Sequence, residues 1–198
     1  AMNFPLATLP GLARGERERC EGPPGAPPRV ELVLPISQGP RSLHDAGPWL
    51  AGRDEGGFVR EVFSHFAELT QRYLGPLELV QARVEHDDPE RTETRVEASF
   101  RAGEVPVSLL GGVGGAAPDF NRWTLFAEER SYRVEDWSQV SWSDGSSWEA
   151  MPLQPDESPG LDAQLDQLAA LLRGEPSLLP TLRDGLTVQR AIEAVLAT

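Results

Sequence analysis

WLAGRDEGGFVREVFSHFAELTQRYLGP, residues 49–76, is a glycine pair leading into one amphipathic helix that stops at Gly75-Pro76. Phe58, Val62, Phe66, Leu69 and Tyr73 recur at three- and four-residue spacing, so they form one buried stripe, widened by Val59 and Phe63. On a 3.6-residue helix Glu61, His65, Glu68 and Arg72 then share another face, with Glu61 and His65 as i,i+4 neighbours. A helix with one greasy face needs a surface to cover, and the rest of the chain has to supply it.

Upstream, RVELVLPI (residues 29–36) alternates Val30, Leu32 and Leu34 with polar neighbours until Pro35, the pattern of a strand. Residues 37–57 form a long loop leading directly into the helix, and loops of that length in a compact domain often carry function. Residues 1–28 read as a linker or truncated N-terminal segment, ending in the Pro/Gly connector GPPGAPP. Ala1-Met2 has the look of a cloning scar or start remnant, so a piece of a longer protein is expected. Downstream, period-2 stretches at 77–86, 92–102, 105–113, 120–127, 131–134 and 139–142 are joined by short turn-forming segments, the signature of a largely antiparallel sheet. Asp144-Gly145 carries the strongest hairpin signal, both residues tolerating the positive φ of a type I′ turn.

Two helices close the chain. Ser158-Pro159 predicts the start of the first, striped by Leu161, Leu165, Leu168 and Leu172. Thr181 and Asp184 form a capping-box pattern for the second, striped by Leu182, Leu186, Gln189, Ile192, Val195 and Leu196, with Gln189 expected to bond a partner inside it. The architecture that follows is α+β over residues 29–198: an open, mostly antiparallel sheet with helices packed on one face. The other face, with Trp123, Trp137 and Trp142 as candidates, is left available for self-association.

Composition excludes several functions. A formal net charge of -13 gives no basic surplus for nucleic acid. All 18 basic residues are Arg, so a Schiff-base lysine and a P-loop lysine are ruled out for this chain. Cys20 is the single cysteine, which excludes an internal disulfide and a Cys-based zinc site and fits a reducing compartment. With no apolar run of membrane-spanning length and no signal-peptide pattern, a cytoplasmic location is expected.

From about Val30 onward the order of features resembles the C-terminal domain of the Gfo/Idh/MocA oxidoreductases. The resemblance rests on GPW then GG, a helix with an acid four residues before a His, LGP, the strand LELVQARV, a long meander and a closing helix pair. It is strongest in the tail LDAQLDQLAALLRGEPSLLPTLRDGLTVQRAIEAVLAT. It implies a substrate-binding and dimerising domain acting on a sugar, polyol or related hydroxyl compound, with NAD or NADP held by a Rossmann half that is missing or separate. This chain itself is expected to bind no cofactor. GGVGG at 111–115 leads to AAPDF and another strand rather than to a helix, so it reads as a bulge or turn.

The same resemblance assigns His65 as acid/base or hydroxyl-binding residue and Glu61 as its orienting partner, with Glu where the family has Asp and Phe63 where it often has Gly. Trp49, His44 and Arg60 are the candidate substrate-binding residues, Trp49 by stacking on a sugar face. No metal is expected, since Glu61, His65 and Glu68 on one helix lack a fourth ligand. Spacing alone leaves two alternatives open. His65 also fits a surface helix histidine paired with Glu61 or Glu68 for about 0.2–0.5 kcal/mol, and the chain also fits a non-catalytic binding or assembly module on the same scaffold.

Overall fold

The computed structural model describes residues 2–9, 28–38, 47–155 and 157–198. His44, Asp45 and Cys20 lie outside the described residues. Eight strands form one open sheet: β1 (Arg29–Ile36), β2 (Leu77–Glu85), β3 (Arg95–Ala102), β4 (Val105–Val113), β5 (Arg122–Phe126), β6 (Ser131–Glu135), β7 (Gln139–Ser143) and β8 (Glu149–Ala150), in the order β2-β3-β4-β1-β5-β6-β7-β8. Every neighbouring pair is antiparallel except β1 and β4, where Leu32 lies opposite Leu109 in parallel register. That one parallel contact places the first strand mid-sheet, between the two meanders. β1 runs unbroken through Pro35, whose neighbour Ile36 still pairs with Val113.

Alternation along each strand sends Val30, Leu32, Leu34, Val96, Phe100, Val107, Leu109, Leu125 and Val134 to one buried face. The helix α1 (Ser64–Leu74), entered through a π-helical turn at Val59–Phe63, covers that face. Phe63 stacks on Phe100 at 5.5 Å between centroids, and Phe66 and Leu69 are completely buried. Each of these side chains contributes about 1.5–3 kcal/mol of burial. Gly75, with φ 94°, ends the helix by donating to the Gln71 carbonyl, as its sequence position requires. The closing helix α3 (Leu182–Leu196) packs Val188, Ile192 and Val195 against α1 and β2. Its capping box forms in full: Asp184 N–H donates to Thr181 Oγ1 at 3.3 Å, and Thr181 N–H donates to Asp184 Oδ2 at 2.7 Å.

Several expectations change. Trp123 belongs to the covered face: it is fully buried and donates its indole N–H to Thr70 Oγ1 at 3.0 Å. Trp142 packs against the same core, opposite Tyr132. The outer face is therefore no tryptophan patch. It carries the same-strand ion pairs Arg29–Glu31, Arg83–Glu85 and Arg95–Glu97, two residues apart and so on one side of the pleat. The helix α2 (Gly160–Leu172) packs on the short turn Pro5–Thr8, with Ala163 buried. Its predicted stripe, Leu161, Leu165, Leu168 and Leu172, faces solvent, as do Leu182 and Leu186 of α3. Ser158 does not cap α2; its hydroxyl donates to Asp166 instead. Gln189 is exposed and donates to Glu193 at 2.6 Å. The Asp144-Gly145 signal marks a real reversal between β7 and β8, but in a wider loop in which only Gly145 has positive φ. The segment before β1, read as a linker, places Phe4, Leu6, Ala7 and Leu9 in the core.

Candidate functional site

The chain enters α1 through a constriction built by glycines. A Cβ at Gly56 would lie 1.8 Å from the Leu50 carbonyl oxygen, and one at Gly57, where φ is +100°, would lie 2.2 Å from the Glu93 carboxylate. Glu93 is buried and accepts the Val59 N–H at 2.7 Å, satisfying a donor at the start of the helical run with a group of the favoured charge. Burial raises the Glu93 pKa, and the Val59 hydrogen bond works against that rise. Nothing in the periodicity of TETRVEASF marks Glu93 for this role. The Gly-Gly pair was the available signal, since it demands a close approach from elsewhere in the chain.

Immediately beyond sits the π turn, a helical irregularity common at functional sites, and then His65. Its imidazole is flanked on two sides by aromatic rings in edge-to-face geometry: Phe4 at 5.6 Å and 79°, and Trp137 at 5.5 Å and 81°. His65 Nδ1 is buried without a hydrogen-bond partner among the described residues. Burial lowers its pKa from the ordinary 6.5, which favours the neutral ring near pH 7. A neutral imidazole in an apolar setting can accept a proton or a hydrogen bond from a hydroxyl.

The other predicted residues that are described are Glu61, Arg60 and Trp49. Glu61 lies in the π turn, its N–H donating to the Gly57 carbonyl at 2.9 Å. Arg60 turns to Glu193 of α3 at 3.0 Å and to the carbonyls of Arg53 and Gly56. Trp49 is more than half exposed, on the turn Pro48–Ala51. Glu68 is buried and paired with Arg72 at 2.9 Å. These two line a cleft of about 400 Å³ between α1 and the α2–α3 connection, and His65 is not part of its wall. Sequence reading missed Phe4, Trp137 and Asn121, which meet His65 or hold its neighbour; each lies more than fifty residues from His65 in the chain.

The glycine cluster at 111–115 runs from strand into turn, Gly114 and Gly115 having positive φ. Gly111 and Gly112 are strand residues of β4, and a Cβ at Gly111 would meet the Phe58 ring at 2.4 Å, so close packing on the helix entry accounts for Gly111. Among the described residues no group of three or more His, Cys, Asp or Glu is placed to hold a metal ion, and no helix is long and apolar enough to cross a membrane.

No family model and no curated protein matches the sequence. Solved structures do match in fold. The dehydrogenase MviM from Clostridium difficile aligns with TM-score 0.72 at 8% identity, over 97% of this chain and 59% of its own. WlbA dehydrogenase from Bordetella pertussis, solved with NADH and UDP-GlcNAcA, aligns with TM-score 0.70 at 20% identity, over 95% of this chain and 57% of its own. UDP-N-acetylglucosamine 3-dehydrogenase GnnA from Acidithiobacillus ferrooxidans aligns with TM-score 0.67 at 18% identity, over 97% of this chain and 60% of its own. This chain thus spans about three fifths of the length of these structures. With an open mixed sheet, helices on its inner face and these neighbours, the chain has the fold of the C-terminal domain of the Gfo/Idh/MocA-type oxidoreductases.

Proposed function

We propose that this chain is the substrate-binding domain of an NAD(P)-dependent oxidoreductase acting on a hydroxyl of a sugar, polyol or sugar nucleotide. The observation that carries the reading is His65: a neutral imidazole, walled by aromatic rings, on the helix that organises a fold whose neighbours include sugar-nucleotide dehydrogenases. Here His65 accepts the hydrogen bond, or the proton, of the substrate hydroxyl, and Glu61 precedes it by four residues, one helical turn. The dinucleotide is assigned to a separate domain, a division suggested by neighbours such as WlbA, solved with NADH, of whose length this chain spans 57%. The unpartnered leucines of α2 support this division, since a row of Leu161, Leu165, Leu168 and Leu172 open to solvent is suited to a second domain. Self-association is assigned to the outer sheet face, where Leu110 and the Arg–Glu pairs are exposed.

A second reading is a non-catalytic binding module on the same scaffold, favoured by the burial of His65 Nδ1 without a hydrogen-bond partner among the described residues. Isothermal titration of the chain with UDP-N-acetylglucosamine and with NADH tests the domain assignment. Saturable sugar-nucleotide binding that His65→Ala weakens at least tenfold, with no heat from NADH, is expected. Micromolar NADH binding by this chain alone overturns it.

A further inference from the structure

The turn joining β6 to β7 is built with the wrong residue for its geometry. Glu135 O accepts from Ser138 N–H at 3.2 Å, and the two central residues, Asp136 and Trp137, have φ of 45° and 68°, a type I′ turn. The second central position of such a turn is ordinarily Gly, and Asp tolerates the first. A tryptophan there is a genuine outlier. The same chain places an Asp-Gly pair only a few residues later, at 144–145, in a loop that does not use the tight turn.

The strained conformation is held from outside. Asn121, buried, accepts Trp137 N–H on its side-chain Oδ1 at 3.0 Å and Asp136 N–H on its own carbonyl at 3.0 Å. What this clamp achieves is the position of the indole. The ring lies 5.5 Å from His65 and 5.6 Å from Phe66, at 81° and 32° respectively, yet 36% of the residue stays open to solvent. A side chain recruited for packing would be buried by its contacts, as Trp123 is. Backbone strain that the surroundings over-determine, beside a buried and unpartnered histidine nitrogen, is the pattern of a preorganised ligand wall.

We infer that Trp137 is a stacking platform that receives the apolar C–H face of a pyranose ring and presents one of its hydroxyls to His65. This inference rests on the proposed function and adds to it the ring, the residue and the mode of contact. An indole offers a large rigid apolar face at little entropic cost, and the neighbouring imidazole supplies the polar group that fixes the ring's orientation.

The test compares wild type, W137G and W137F by titration calorimetry with UDP-N-acetylglucosamine and with UDP, together with urea midpoints. Glycine relieves the positive-φ strain while removing the ring. Expected are at least a tenfold loss of UDP-N-acetylglucosamine affinity in W137G, loss of less than threefold in W137F, and a cooperative urea transition for W137G showing that it folds, relief of strain offsetting part of the packing lost against Phe66 and His65. UDP alone should bind W137G and wild type equally. A W137G protein that keeps its affinity overturns the inference and leaves the proposed function standing. A loss of UDP binding equal to that of the sugar nucleotide also overturns it, since the base would then be the stacking partner. No binding of either probe by wild type overturns the proposed function and this inference with it.

Discussion

Gly57→Ala tests whether the helix entry is organised around the Glu93 carboxylate. At Gly57 an added methyl meets two separate costs. The backbone, at φ +100°, is one that L-residues reach only with strain of about 1–2 kcal/mol. The Cβ would also lie 2.2 Å from one Glu93 oxygen and 2.5 Å from the other, so the carboxylate must move and give up the Val59 N–H it holds at 2.7 Å. Leaving a buried donor and acceptor unsatisfied costs about 1–3 kcal/mol more. Gly145 is the control, with φ +99° and nothing within 4 Å of its Cβ position. Gly145→Ala should therefore cost only the first amount, and Gly57→Ala about 2–5 kcal/mol in all. Urea unfolding followed by tryptophan fluorescence, with the m-value checked for constancy, measures both. If the two variants lose the same stability within about 0.5 kcal/mol, the carboxylate is not what excludes a side chain at Gly57. A Gly57→Ala/Glu93→Ala double variant sharpens the test, because the shared clash makes the two losses less than additive.

Stability should fall as pH drops below about 6.5 in a way that His65→Phe removes, since burial depresses the His65 pKa and the unfolded chain takes up the proton first. Glu68 and Glu93 run the other way: both pKa values are raised above the ordinary 4.5, so their contribution is present at low pH and declines as pH rises from 4.5 through the folded values. Melting curves of wild type, His65→Phe and Glu93→Gln across pH 4–8 separate the two slopes; parallel profiles for all three would refute both assignments. Thr181→Ala removes the hydroxyl half of the α3 capping box and should cost about 0.5–2 kcal/mol in the same urea assay. Leu165→Glu and Leu172→Glu sit on the exposed face of α2 and should change stability by no more than about 0.5 kcal/mol. A loss of 2 kcal/mol or more in either would show that the stripe is covered within this chain, against about 2–5 kcal/mol known for truncating core leucines.

Elements whose cause is local were legible in the amino-acid pattern. The 3–4 spacing from Phe58 to Tyr73 made α1 inevitable, Gly75-Pro76 ended it, and Thr181 with Asp184 fixed where α3 begins. Alternation along 95–102 and 105–113 gave two strands and the hairpin between them. His65 could be named because a helix face is a property of spacing. What surrounds His65 could not, because Phe4 and Trp137 reach it through contacts between segments remote in sequence. Tertiary structure also decided which side of a pattern is covered. Alternation says that Trp123 points away from its neighbours, but only the position of Thr70 on α1 makes that side the inside. Amphipathicity says that the leucines of α2 want cover, but only packing on the Pro5–Thr8 turn leaves them outward. The strained turn at Asp136-Trp137 is the clearest case. Local preference places Gly there, and a buried Asn121 from another strand's approach overrides it, because two backbone hydrogen bonds from a fixed partner outweigh what the residue would choose alone.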